Sequence, residues 1–232
     1  MTSTPTSTTN TTTPSADGFS ARLQAANEET WRAAVQHRFV DELLEGSVPD
    51  DVLRHYLVQD YQFFDAFVAM IGQAIASAPD LPARLPLARQ LGMLAADEDG
   101  YFEQSFDTLD VPEGDRISPE LSPATIAFDR VMRDAIQTRS YAAVLGVLTV
   151  AEWLYLDWAT RPEADQASTR PEHLGWVDLH RGKAYETWTL WLRGQLDAHE
   201  PTDPAEKAQV EELFARAVAC EVAFFDDAYA AV

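Results

Sequence analysis

From Phe19 almost to the C-terminus, apolar residues recur at three- and four-residue spacings, and no useful stretch alternates with period two. That periodicity confines the chain to packed helices, because a strand needs the two-residue repeat. The spacing predicts a helix from Phe19 to about Glu45, carrying Leu23, Trp31, Val35, Phe39, Leu43 and Leu44 inward, with Gly46 stopping it. Pro49, followed by Asp50 and Asp51, opens a second helix running to about Ala78. A third follows the turn at Pro79–Pro82 and carries Leu91, Met93, Leu94, Tyr101, Phe102 and Phe106. After a loop from Val111 to Pro119, Pro123 starts a fourth, and Ser140 caps a fifth over Tyr141 to Ala159. A polar linker from Arg161 leads to a helix over about Pro171 to Ala198, and a last one follows Pro204. The expectation is an all-α bundle of about seven or eight helices, one domain over residues 18–232. Residues 1–17, a Thr/Ser/Pro tract, are expected to stay disordered because so little apolar content cannot offset ordering entropy.

Within the helices, acids and aromatics share faces. Asp60, Phe63, Phe64 and Phe67 fall at i, i+3, i+4 and i+7. Glu98 precedes Tyr101 and Phe102, Glu152 precedes Tyr155, and Glu221 precedes Phe224 and Phe225, each at one-turn spacing. One such pair describes a core face with an acid at its edge. Four imply a shared polar pocket, since an unpaired buried charge costs several kcal/mol. Phe67, two turns from Asp60, reads as core. Carboxylates among aromatic walls suit acid–base work on a flat, amine-bearing ring. They also suit a carboxylate-bridged di-iron site, but that needs Glu-x-x-His spacing, and here Tyr101, Tyr155 and Phe224 occupy the histidine positions. No metal is therefore expected. Cys220, beside Glu221 in sequence, points about 100° away from it on a helix and reads as a small core residue.

Charge narrows the partners. Thirty-eight acids against 17 bases leave a net charge of −21, which repels phosphate backbones and excludes nucleic acid as an expected partner. Such self-repulsion is either the mark of a salt-rich cytoplasm or that of an ordinary acidic protein, and molar salt would screen it. A single cysteine rules out an internal disulfide and fits a reducing cytoplasm. No apolar run is expected to reach the ~20 residues that cross a bilayer, so no membrane is expected either.

These segments resemble a known family. His37–Val40, Gly46–Pro49 and Tyr56–Phe63 are similar to the opening of the TenA family of thiamin-salvage enzymes. The likeness continues through the Glu98 helix, Ala151–Tyr155, Trp176–Gly182 and Glu221–Phe225. It implies a heme-oxygenase-like bundle, a homotetramer in the cytoplasm, and hydrolysis without metal or cofactor. The product would be 4-amino-5-hydroxymethyl-2-methylpyrimidine, released from aminomethyl or formylaminomethyl precursors. By the same resemblance Asp60 holds the aminopyrimidine nitrogens, and Phe63 lies against the ring with Phe64 beside it. Tyr155 lines the pocket, with Glu98, Phe128 and His180 as further substrate-binding positions. Glu152 and Glu221 form the catalytic pair. Where the better-known branch has its nucleophilic cysteine, this chain has Ala151, which resembles the branch that relies on a glutamate, here Glu152. Two other pocket positions also differ from the family's usual pattern: Phe128 stands where a tyrosine is common, and His180 stands near another such position. A non-catalytic pyrimidine-binding or indirect regulatory role, and a metal-dependent oxygenase on the same bundle, are the alternative readings.

Overall fold

One helix, α10 (Tyr141–Ala159), runs through the middle of the molecule, and 15 of its 19 residues are buried. Its sequence is apolar on every side rather than on one stripe, which is what a helix surrounded by others requires. Helices α2 (Glu28–Val35), α5 (Phe64–Ser77), α9 (Pro123–Thr138), α12 (Lys183–Ala198) and α13 (Pro204–Ala230) all pack against it. The expectation that no apolar run approaches bilayer length therefore needs correcting: α10 is long and apolar enough, and core packing accounts for its character. The computed structural model describes residues 14–95, 99–166 and 170–230. Residues 1–13 of the Thr/Ser tract lie outside them, while Ser15 donates its backbone N–H to Asp197 on α12 at 3.1 Å.

Among the described residues the helices number thirteen, more than the seven or eight expected, and no strand occurs. The excess comes from breaks within predicted helices. The first divides into α1 (Phe19–Ala26), α2 and α3 (Arg38–Glu45), with His37 capping α3 by accepting from the Phe39 N–H at 3.1 Å. Gly46, at φ 73°, ends α3 with Ser47 N–H returning to the Glu42 carbonyl at 2.8 Å, a Schellman closure. The second becomes α4 (Asp50–Tyr61) and α5, and the third becomes α6 (Leu81–Met93) and α7 (Asp99–Thr108). A short α8 (Glu113–Ile117) occupies part of the expected loop, and a 3₁₀ turn over Pro162–Gln166 part of the linker. Ser122 and Ser140 cap α9 and α10 by accepting from Thr125 and Ala143 N–H.

The expected helix over Pro171 to Ala198 is two, α11 (Pro171–Leu179) and α12, separated at His180–Gly182. Gly182 adopts φ 89°, a region closed to other residues without strain, and an added Cβ there would meet nothing within 4 Å. The cost of a side chain at Gly182 is thus purely conformational. Gly182→Ala should destabilise by about 1–3 kcal/mol, read as a melting temperature roughly 2–12 °C lower by circular dichroism.

Candidate active site

A cavity of about 290 Å³ lies where α4, α5, α9, α10, α13 and the α11–α12 turn converge. Asp60 enters it from the last turn of α4. There the chain tightens: Gln62 and Phe63 N–H groups bond three residues back, to Gln59 at 3.2 Å and Asp60 at 2.9 Å, before α5 resumes. In such a 3₁₀ turn, residues i and i+3 eclipse, so Phe63 stands directly over Asp60. Phe64 and Phe67 continue the wall along α5. The one-face argument thus names residues that share a wall, although the helix assumed to carry them is broken. Phe67 needs correction, since it borders the cavity as well as packing on the core.

From α10 come Ala151, Glu152 and Tyr155, from α13 Glu221, and from α9 Phe128 and Met132. Phe63 meets Phe128 and Phe224 edge-on, at centroid distances of 5.1 and 4.9 Å, and this locks its ring. The break after α11 turns His180 inward. Its Nδ1 lies 2.8 Å from the Trp176 carbonyl oxygen, which can only accept, so Nδ1 carries the proton and Nε2 is left as an acceptor. Burial holds this imidazole neutral, down at about 4.

Three carboxyls define the chemistry. Glu221 is 1 % exposed, and neither oxygen has a hydrogen-bond partner. Burial, and then the neighbouring Asp60, raise it well above the usual range. Asp60 keeps intermediate accessibility at the cavity wall, but the small cavity solvates charge poorly, and burial pushes it up to about 8 against the opposing Tyr56 hydroxyl. The charge of Asp60 thus adds to burial in disfavouring the charged form of Glu221. Glu152, 4 % exposed, stands apart from that pair. Burial raises it to about 7, while Trp188 and Tyr185 favour its charged form. Trp188 Nε1 exerts that pull without reaching hydrogen-bond geometry, and the Tyr185 hydroxyl donates to the Glu152 backbone carbonyl at 3.2 Å. A site with acids poised near neutrality can hold an amine-bearing ring and move protons to and from it.

Asp60, Phe63, Phe64, Phe128, Glu152, Tyr155, His180 and Glu221 all border this one cavity. Glu98 lies outside the described residues. Sequence reasoning missed Tyr185, in the first turn of α12, and treated Trp176 as buried packing only; both line the cavity. Gly182, three residues before Tyr185, was the available signal of a new helix start. Gln90 and Leu94 from the end of α6, with Met93 at 46 % exposure, form the outer wall, and nothing in their spacing singled them out. Among the described residues, no group of three or more His, Cys, Asp or Glu side chains is arranged to hold a metal. Cys220 is half-buried, its thiol raised to about 11 chiefly by burial, and it is not part of the cavity wall.

Comparison with known proteins identifies the family of this fold. An aminopyrimidine aminohydrolase from Halalkalibacterium halodurans is 21 % identical over 213 residues, covering 91 % of this chain and 95 % of that one. One from Bacillus subtilis is 22 % identical over 227 residues, covering 91 % and 89 %. The crystal structure of a TenA family transcription regulator from a Silicibacter species superposes with a TM-score of 0.81 at 21 % identity, covering 91 % of this chain and 96 % of the other. A Shewanella denitrificans domain with a heme oxygenase-like fold gives 0.66 at 16 %, covering 91 % and 92 %. The sequence profile of the TENA/THI-4/PQQC family matches residues 24–231. On that match, which spans every helix lining the cavity, the chain belongs to the TENA/THI-4/PQQC family and has its heme-oxygenase-like, all-α fold.

Proposed function

We propose that this protein is a thiamin-pyrimidine salvage hydrolase. Its substrate would be an aminomethyl or formylaminomethyl derivative of 4-amino-2-methylpyrimidine, and its product the 5-hydroxymethyl compound. The observation that carries the reading is Glu221, a fully buried carboxyl without a hydrogen-bond partner among the described residues, set in an aromatic-walled cavity that Asp60 and Glu152 also line. The names borne by the two curated relatives support the same reaction class.

The chemistry needs a base for water and an acid for the departing nitrogen. Glu152, raised to about 7, is substantially ionised near neutrality and serves as the base. Asp60 accepts from the amino group of the ring, which favours its charged form and leaves the proton on Glu221. Water then loses a proton to Glu152, its oxygen bonds to the methylene carbon, and the carbon–nitrogen bond breaks. Glu221 delivers its proton to the leaving nitrogen. Ala151, on the α10 wall of the cavity, offers no nucleophile, so the reading assigns direct water attack and no covalent intermediate. Cleavage of intact thiamin, which by the family resemblance relies on the nucleophilic cysteine that Ala151 replaces, is not part of this reading.

Incubation with the aminomethyl pyrimidine, the formylaminomethyl pyrimidine and intact thiamin tests this directly. The first two should yield the hydroxymethyl pyrimidine and thiamin should not. Glu152→Gln and Glu221→Gln should each lower kcat by more than about 10²-fold, the low end for a general acid or base, with folding intact. Near-wild-type turnover by both variants would sink the assignment. Pyrimidine binding by calorimetry without any turnover would instead make the protein a binder.

A second consequence needs no substrate. The folded protein holds the Glu152 proton to about 7, whereas the unfolded chain releases it near the ordinary glutamate value of 4.5. The folded state therefore binds more protons between those values. This stabilisation is full below the lower value and is lost as pH rises through the upper one. Glu152→Gln removes the penalty of ionising that site. Relative to wild type, the variant should gain up to about 3 kcal/mol between roughly pH 5 and pH 8.5. Urea unfolding at both pH values measures the gap, and a gap that stays constant contradicts the buried titration.

A further inference from the structure

Ala83, Leu87, Gln90 and Leu94 fall at helical spacing along one face of α6 and its C-terminal cap, and they are 5, 0, 8 and 3 % exposed. Three of the four are apolar and make the seam by which α6 packs on α5. The fourth carries a carboxamide. A leucine or methionine at position 90 would continue the seam and bring no amide to desolvate, so the polar group needs its own explanation. No partner within the protein supplies one. Among the described residues the Gln90 side chain makes no hydrogen bond, and it borders the cavity, where it is the only carboxamide.

Other donors on the cavity wall are already engaged. The Tyr155 hydroxyl pairs with that of Tyr56 at 3.0 Å, and the Tyr185 hydroxyl donates to the Glu152 carbonyl at 3.2 Å. His180 commits its Nδ1 proton to the Trp176 carbonyl. Arg181, the one cation bordering the cavity, donates to Asp178 at 2.8 Å and to the Ala164 carbonyl at 2.9 Å. The carboxyls of Asp60, Glu152 and Glu221 enter from α4, α10 and α13, whereas Gln90 enters from α6, where the wall meets solvent beside the half-exposed Met93. Acceptors are thus plentiful on the other helices, and an uncommitted neutral donor stands on this one.

We propose that Gln90 is a specificity-determining residue, whose carboxamide donates to the formyl oxygen of a formylaminomethyl substrate and so favours that substrate over the free amine. This rests on the reading of the cavity as an aminopyrimidine site. Near neutral pH an aminomethyl group carries an ammonium, which needs acceptors, and Asp60, Glu152 and Glu221 supply them. A formylamino group is neutral and adds a carbonyl oxygen, which needs a donor. Gln90 Nε2 brings two N–H groups and no charge. With the formyl compound bound, that donor and the formyl oxygen satisfy each other. With the amine bound, the donor faces a filled cavity without an acceptor, and a site built for a hydrogen bond discriminates against the ligand that lacks it. The carbon–nitrogen bond that breaks is the same in both, so the nitrogen departs as formamide or as ammonia.

The test compares the two substrates on the full chain. Gln90→Met keeps the length of the side chain and completes the apolar seam, so it should fold with a melting temperature no lower than that of the wild type. Its ratio of kcat/KM for the formylaminomethyl over the aminomethyl pyrimidine should fall about tenfold, the worth of one neutral hydrogen bond. The loss should lie chiefly in KM, since the bond exists before the carbon–nitrogen bond breaks. Gln90→Glu removes the donor and adds an acceptor, and should lower the ratio at least as far. If Gln90→Met fails to fold, Gln90→Glu carries the comparison; if neither folds, Gln90 is a packing residue and the proposal is overturned. A ratio that stays or rises overturns it as well, as does a wild type that converts only the free amine. A wild type that converts both substrates while the variants keep its ratio removes the role of Gln90 and leaves the reading of the cavity standing. A wild type that neither binds nor converts either pyrimidine sinks that reading and this assignment with it.

Discussion

The desolvation of Asp60 and Glu221 beside each other is the constraint on which the site depends. Two carboxylates in a poorly solvated space cannot both ionise cheaply, and among the described residues no lysine or arginine pairs with Glu221, whose oxygens are unpartnered. Most of the chain's cations are engaged elsewhere. Arg133 pairs with Asp65 and Asp129, Arg161 with Asp41, and Arg216 with Asp134, all at least partly exposed. Such pairs contribute little individually; Arg181, which does border the cavity, is held by Asp178. Placing an arginine near Asp60 would settle both acids in their charged forms. An acidic protein with few cations is, at this position, a consistent composition.

The helix breaks turn a periodic core into a cavity with directed groups. A continuous helix over residues 50–78 would have placed Phe63 about 60° around the axis from Asp60; the 3₁₀ turn brings it directly above. A continuous helix over residues 171–198 would have carried His180 past the cavity. Gly182 at φ 89° instead ends one helix and aims the next, so that His180 and Tyr185 approach from opposite sides of the same turn. Their rings lie 5.5 Å apart and nearly perpendicular. Both breaks cost local backbone hydrogen bonds, and packing offsets that cost: Phe63 is held edge-on by two rings, and His180 by its own bond to Trp176.

Much of this was legible in the residues, and the reason differs from part to part. The helical class follows from spacing alone, because amphipathic periodicity reports burial directly. The acids at core-facing positions were legible because burying them without a purpose is expensive. The number of helices was not, since breaks at Asn27, Gln62–Phe63 and His180–Gly182 hinge on differences of a few tenths of a kcal/mol in local preference that tertiary packing overrides. Tyr185 was hidden by the same assumption, as its face is defined only once α12 starts afresh. At i+7 from Asp60, Phe67 reads as core from spacing alone, whereas the cavity extends that far along α5. The pairing of the acids was also hidden. Spacing along the chain offers Glu152 and Glu221 as equals, whereas the electrostatics join Glu221 to Asp60 and leave Glu152 with Tyr185 and Trp188.

That division of the three acids has a further implication for how the empty and occupied sites differ. In the empty protein, the Asp60–Glu221 pair avoids the cost of a second buried charge by retaining protons, so the fold is not required to stabilise a dianion. A ring bringing N–H groups to Asp60 supplies the missing donor and lowers the cost of charge there. The proton retained by the pair then has one carboxyl left to occupy, Glu221. Binding would in this way set the protonation of a residue that need not contact the amino group itself. On the proposed reading Glu152 gains from being outside the pair: burial raises it to about 7 against Trp188 and Tyr185, so a ligand that reorganised Asp60 and Glu221 would leave it able to accept a proton from water.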